Sequence, residues 1–273
     1  MDRFIVFTDL DGTLLDSVTY SWEAAADALH LLRARQIPLV LTSSKTRAEI
    51  EPIRSHLQNQ YPFIVENGGA IYTPKGLFPF PLEGAAVRGP YQIIELGTPY
   101  PRLRAALKEI EGALGVPLRG FGDMPAEEVA ERTGLAHPES ILAKQREYDE
   151  PFLIEGDASI LGALTRQAEA RGLHCMTGGR FYHLAGDSDK GKACQILTEC
   201  YRRLSTGKAP VTTVGLGDQP NDLPMLVAVD RPILVQLPTG SYHPGVSLPN
   251  LVRATGIGPA GWNQAILELL RGA

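Results

Sequence analysis

Apolar and polar positions along the chain follow one grammar at both ends and another in the middle. Near the start, residues 4–7, 38–41 and 63–65 are short continuous apolar runs, and residues 22–34 and 47–57 between them are amphipathic. Short apolar runs separated by crossover-length amphipathic segments predict parallel strands joined by helices that cover both sheet faces. The alternation returns near the end, where 211–214 and 233–236 read as strands and 223–229 and 262–270 as helices. Two halves of one open α/β sheet therefore flank an intervening segment.

Breakers mark where that segment begins and ends. Residues 73–81 hold three prolines and a glycine, and a second joint rich in Gly and Asp lies at 186–191. The reading is an inserted domain over 83–184 and a core built from 1–82 and 185–273. Inside the insert, 91–97 and 152–155 read as strands, 102–114 and 160–171 as helices, and 173–183 as a hairpin or strand pair. Two such strand-helix units predict a small α+β layer.

With 273 residues, 44% of them hydrophobic, the chain can bury a sizeable core. A formal net charge of -5 leaves no broad basic surface for nucleic acid or anionic lipid. Residues 1–7 resemble neither a secretory signal nor a spanning helix, so a cytoplasmic protein is expected. Cys175, Cys194 and Cys200 are odd in number and lack a metal-ligand pattern, which suits free thiols in a reducing compartment.

The candidate chemistry sits at the ends of the expected strands. Asp9-Leu10-Asp11-Gly12-Thr13 directly follows the first apolar run, at the strand end where open α/β sheets place ligands. Alternation puts both acids on one side of the chain, so one can attack phosphorus while the other gives and takes a proton. A turn capped by aspartates would also explain a single Asp-Gly pair. Gly217-Asp218-Gln219-Pro220-Asn221-Asp222 supplies a second acidic loop after the 211–214 strand. One such loop is often only a helix start, but two at strand ends point to a magnesium ion held by oxygen. Ser43 and its neighbours open a helix after the second strand, a position that suits either a phosphate oxygen or a simple N-cap. Lys190, in a Gly- and Asp-rich joint, can neutralise a phosphoryl group or simply face solvent.

In order and spacing, Asp9-x-Asp11-Gly-Thr, Ser43, Lys190 and Gly217-Asp218-x-x-Asn221-Asp222 resemble the four motifs of haloacid dehalogenase-type phosphatases. The resemblance implies a Rossmann-like core with Asp9 as nucleophile and Mg²⁺ ligand. It makes Asp11 the general acid and base, with its backbone carbonyl on the metal. Ser43 and Lys190 fall on the phosphate, Asp218 on the metal, and Asp222 beside the metal, directly or through water. An insert after the third strand is similar to the subclass with a large α/β cap, type IIB, in which the cap selects the substrate.

Finer stretches, residues 42–49, 66–72, 146–152 and 178–183, look like the mannosyl-3-phosphoglycerate phosphatase family. That resemblance implies release of phosphate from mannosyl-3-phosphoglycerate to leave mannosylglycerate, a compatible solute. The partner is then a small phosphorylated glycoside, with no nucleic acid and no membrane. Substrate contacts would fall on Ser44, Lys45, Asn67, Arg146, Glu150, Gly179 and Arg180. The arginine forks would take carboxylate or phosphate, and Asn67 and Glu150 would take sugar hydroxyls. Alternatives are a solvated charge run at 146–150 and a plain hairpin turn at Gly178-Gly179. The competing functions are a glucosyl-3-phosphoglycerate or other sugar phosphatase, a phosphomutase, and a non-catalytic scaffold. An ion pump is disfavoured, since no spanning segments occur and Asp11 stands where pumps of that superfamily carry threonine.

Overall fold

The structure, a computed structural model, describes residues 3–156, 158–178, 181–205 and 210–271. The first apolar run is β1 (Arg3–Thr8), which is buried on both sides. Phe4 and Val6 pack in one core with Leu39 and Leu41 of β2 (Leu39–Thr42), while Ile5 and Phe7 pack in the other with Val40. α1 (Ala26–Ala34) and α2 (Arg47–His56) lay Leu29 and Ile50 on the first of these cores, and β3 (Phe63–Val65) continues the parallel sheet.

Beyond β3 the chain turns back on itself. β4 (Ala70–Pro74) pairs antiparallel with β3, and β5 (Ala86–Arg88) and β6 (Tyr91–Glu95) extend that edge. Residues 86–95, read from sequence as part of the insert, thus hydrogen-bond into the large sheet. The pattern of a strand shows which face it buries, but its partner depends on pairing with distant chain, which pattern does not carry.

Then comes a separate layer. α3 (Tyr100–Leu114), β7 (Leu118–Gly120), α4 (Ala126–Thr133), α5 (His137–Ala143), β8 (Asp149–Ile154), α6 (Leu161–Glu169), β9 (His174–Gly178) and β10 (Phe181–Ala185) follow in turn. Their strands form an antiparallel sheet in the order β7-β8-β10-β9. One face of it packs Phe152 and Leu184 against Leu103 and Leu107 of α3 and Leu164 of α6. On the other face, Phe181 of β10 and Leu153 of β8 pack with Met124, Val129 of α4 and Ala143 of α5, and His183 of β10 borders the cleft above the large sheet.

α7 (Lys190–Leu204) returns the chain to the large sheet. The sequence reading did not pick this helix out, although Ala193, Cys194, Leu197 and Tyr201 recur at helical spacing and are its buried stripe. β11 (Val211–Gly217), α8 (Leu223–Ala228), β12 (Arg231–Gln236), β13 (Val252–Ile257) and α9 (Gly258–Arg271) complete the fold. The nine-stranded order is β13-β12-β11-β1-β2-β3-β4-β6-β5, parallel from β13 to β3. Among the described residues no helix is long and apolar enough to cross a membrane.

Candidate active site

β1 and β11 are neighbours running the same way, with Thr8 opposite Leu216. The chain leaving each strand therefore emerges at one end of the sheet, which brings Asp9 beside the Gly217-Asp218 loop. The Asp9 amide donates to the Leu216 carbonyl at 2.9 Å. Behind it, the Thr8 hydroxyl donates to the Asp9 carbonyl at 2.8 Å and accepts the Trp262 indole N–H at 3.0 Å. Trp262 is fully buried, so α9 fixes the Asp9 backbone from beneath. Neither residue was singled out from sequence, because a tryptophan in an apolar helix reads as ordinary core.

Close approach sets the rest. Gly12 has φ +81°, and a Cβ there would stand 2.7 Å from Asp218 Oδ2. Only glycine accommodates both the left-handed backbone and the neighbouring carboxylate. Thr13 Oγ1 donates to Asp218 Oδ1 at 3.0 Å. Lys190 opens α7, with Asp189 as its N-cap, and its fully buried ammonium lies 2.6 Å from Asp9 Oδ1 and 2.7 Å from Asp222 Oδ1. The other Asp222 oxygen accepts the amides of Asp218 at 3.0 Å and Gln219 at 3.1 Å. Asp222 thus holds the lysine and its own loop together.

Asp9, Asp218 and Asp222 each offer an oxygen within 4.8 Å of the others. Three carboxylates against one ammonium leave an excess of two negative charges when all are ionised, and the proton affinities record it. Burial first, then Asp222, raises Asp9 well above the usual carboxylate range against the pull of Lys190. The same two causes push Asp218 up to about 7. Burial works against the Lys190 ammonium, but Asp222 and Asp9 outweigh it and raise its pKa. A buried set of hard oxygen donors with two surplus charges suits a hard divalent cation.

Asp11 turns elsewhere. Its Oδ2 pairs with Lys45 Nζ at 2.9 Å, and Lys45 reaches toward Glu49 at 3.8 Å. Lys45 is buried and borders a neighbouring pocket of about 240 Å³ between Tyr20 and Leu142 rather than the main cleft. That cleft, of about 340 Å³, has Asp9, Asp11 and Asp218 on its floor with Ser44 and Asn67 beside them. Met176, Thr177 and His183 of the small sheet form the opposing wall. Ser43 is buried, and its hydroxyl accepts the Lys45 amide at 3.2 Å. The capping role left open for this stretch belongs to Thr46, which forms a capping box with Glu49 at the start of α2.

Three successive residues of the turn between β3 and β4 are in left-handed conformation: Glu66 (φ +48°), Asn67 (φ +54°) and Gly68 (φ +96°). Such strain in non-glycine residues persists only where the surroundings hold it. Glu66, buried, accepts the amides of Glu147 at 2.9 Å and Tyr148 at 2.8 Å, and burial is the main cause that pushes its carboxyl up to about 8. Asn67 Oδ1 accepts from Asn221 at 3.2 Å. A Cβ on Gly68 would meet the Asp189 carbonyl at 2.1 Å, so this bend lies directly on the turn that launches α7.

Besides Lys45, two more of the expected substrate contacts do not line the cleft. Arg146 is buried away from the cleft wall, donating to the Ser44 carbonyl at 2.9 Å and the Ala143 carbonyl at 2.9 Å and pairing with Asp149 at 3.4 Å. It fastens the small layer to the core. Glu150 is fully buried in an ion pair with Arg104 at 2.7 Å and accepts the Gly122 amide at 3.2 Å, and it does not line the cleft. Residues 146–150 look like a solvated charge run because their partners, Arg47 for Glu147, His183 for Asp149 and Arg104 for Glu150, come from far along the chain. Gly179 and Arg180 lie outside the described residues. His183 was not among the expected contacts, yet it is the ionisable member of the small-sheet wall.

This sheet order, with acidic loops at the ends of adjacent parallel strands and a buried lysine between them, defines a haloacid dehalogenase-like hydrolase, the family description that matches residues 6–88. A solved Thermoplasma acidophilum structure superposes with a TM-score of 0.70 at 17% identity over 99% of both chains. A Methanococcoides burtonii protein named glucosyl-3-phosphoglycerate/mannosyl-3-phosphoglycerate phosphatase is 48% identical over 98% of this chain and 97% of its own. A Pyrococcus furiosus mannosyl-3-phosphoglycerate phosphatase is 39% identical over 85% of this chain and 90% of its own. The chain belongs to the mannosyl-3-phosphoglycerate phosphatase family and is a phosphoric monoester hydrolase.

Proposed function

We propose that the chain releases phosphate from glucosyl- or mannosyl-3-phosphoglycerate, with Asp9 as the group that takes the phosphoryl. The observation that carries the chemistry is the buried Lys190 ammonium 2.6 Å from Asp9 and 2.7 Å from Asp222 at the end of β1. The near full-length relative supports the substrate. Asp9 attacks phosphorus through the oxygen that Lys190 does not hold. As the ester P–O bond breaks, Asp11, protonated and turned from Lys45 toward the substrate, gives its proton to the departing glycerate oxygen. Asp11 then takes a proton from the water that attacks the aspartyl phosphate, which frees phosphate and restores Asp9.

Asp9 and Asp218, with the Asp11 backbone carbonyl, would hold Mg²⁺, and Asp222 would orient them from behind. When bound, that ion neutralises charge building on the phosphoryl oxygens. Ser43 and Lys190 keep the phosphoryl in line, and Ser44 and Asn67 sit where the rest of the ligand leaves the floor. Residues from Tyr100 to Ala185 act as the lid that selects the glycoside. No broad basic face favours nucleic acid, in keeping with a small-molecule substrate.

Phosphate release over a panel of phosphorylated metabolites, with Mg²⁺ or with a chelator, tests this reading. Both glycosyl phosphoglycerates should be hydrolysed best, and only with the metal. Equal rates across the panel would overturn the substrate assignment, and full activity in chelator would overturn the metal.

A further inference from the structure

We propose that His183, oriented by Asp149, is the residue of the small sheet that binds the carboxylate of the glycerate through its Nε2–H. The inference rests on the glycosyl phosphoglycerate reading above and adds to it where the second anion of that substrate goes.

A phosphoglycerate carries two anionic groups. The floor, with its buried lysine and acidic cluster, addresses the phosphate and leaves the carboxylate without a counterpart. Among the described residues the nearby cations are already engaged: Lys45 by Asp11 and Glu49, Arg146 by the Ser44 carbonyl and Asp149, and Arg104 by Glu150 and Asp123. Among the described residues that line the cleft, His183 is the one whose side chain can carry positive charge.

The fold sets the direction of that side chain. In β10, Tyr182 and Leu184 pack toward α3 and α6, so by alternation His183 lies on the opposite face of the sheet, toward the cleft. His183 pairs with Pro151 of β8 and Ala185 pairs with Asp149, which makes Asp149 the diagonal neighbour of His183 on that face. Asp149 is fully buried, and its Oδ2 lies 2.7 Å from His183 Nδ1. With Nδ1–H donating to Asp149, the second ring nitrogen is the one left for a ligand. A carboxylate there and Asp149 behind would flank the ring at its two nitrogens, which a doubly protonated imidazole satisfies with both N–H groups.

The test compares two competitive inhibitors of hydrolysis of a small aryl phosphate by the Mg²⁺-loaded protein: 3-phosphoglycerate and glycerol 3-phosphate, which lacks the carboxylate. The quantity read is the ratio of their inhibition constants within each protein, so a general change in the site cancels. The wild type should prefer 3-phosphoglycerate by about tenfold or more, the scale of one hydrogen bond between charged groups. In His183→Asn the amide can still reach Asp149 but nothing stands at the Nε2 position, and the preference should vanish. In His183→Gln the amide reaches that position, and part of the preference should remain. A wild-type ratio near one, a preference kept in His183→Asn, or equal loss in both variants would each overturn the assignment. Failure of the substrate reading shows separately, as absence of phosphate release from the glycosyl phosphoglycerates themselves.

Discussion

Asp9, Asp218 and Asp222 at the ends of β1 and β11 are buried, as are Asp149 and Glu150 in β8, yet the two sets meet different surroundings. Glu150 has Arg104 in ion-pair contact and Asp149 has Arg146 and His183, all within the small layer or its joint. In the large sheet one lysine serves both Asp9 and Asp222, and Asp218 beside them has no cation in ion-pair contact among the described residues. Burial alone therefore does not mark a reactive acid. The mark is burial together with a deficit of positive charge at a strand end, because such a deficit persists only if something outside the chain fills it.

The largest expected effect tests the floor. Asp9→Asn should lower phosphate release by more than about a thousandfold, since an amide cannot attack phosphorus. Folding raises the Asp9 pKa, so its ionised form lowers stability above the ordinary carboxylate range. The metal-free variant should consequently melt at neutral pH no lower than the wild type. A melt several degrees lower would mean that Asp9 supports the fold as Glu150 does, and the contrast would fail.

Next in size is the metal. Asp218→Ala should raise the Mg²⁺ concentration that gives half-maximal rate by about a hundredfold or more. An unchanged requirement would shift the ligand role to Asp222.

The small layer should answer in stability instead. Glu150→Ala leaves a partly buried guanidinium short of a partner and should cost about 3 kcal/mol in chemical denaturation. At temperatures where the variant is folded, its relative rates on the two glycosyl phosphoglycerates should match the wild type. A changed substrate preference would return Glu150 to the sugar site.

The smallest effect concerns Glu66. Its carboxyl holds a proton more tightly in the folded chain, up to about 8 against an unfolded value of 4.5. Folding is thus linked to proton uptake, and this residue's contribution falls as pH rises from 4.5 toward 8, then levels off. Glu66→Gln should flatten that slope while keeping an oxygen for the two amides. Melting temperatures across that range check it, and identical slopes would show that the pairing of Glu66 with the joint is not electrostatically costly.

Much of the floor was legible in the sequence for a physical reason. Its residues follow strands whose apolar runs announce themselves, so position in the chain fixes position at the sheet end. The Asp9 and Asp218 loops needed only the parallel pairing of β1 with β11 to meet. The small layer was less legible because its charged residues sit within strands and helices, where their partners come from distant segments. Nothing local in Arg146-Glu147-Tyr148-Asp149-Glu150 tells that Arg104 approaches from α3 or His183 from β10. The antiparallel placement of β6 was hidden likewise, since a strand of either sheet reads alike.

The hydrogen bonds from Arg146 to the Ser44 carbonyl and between the Thr46 hydroxyl and the Leu142 carbonyl, at 3.0 Å, concern timing. They tie the loop that precedes α2 to the small layer. Any movement that parts the two layers has to break these bonds, and it would loosen the stretch carrying Ser44 and Thr46 at the same moment.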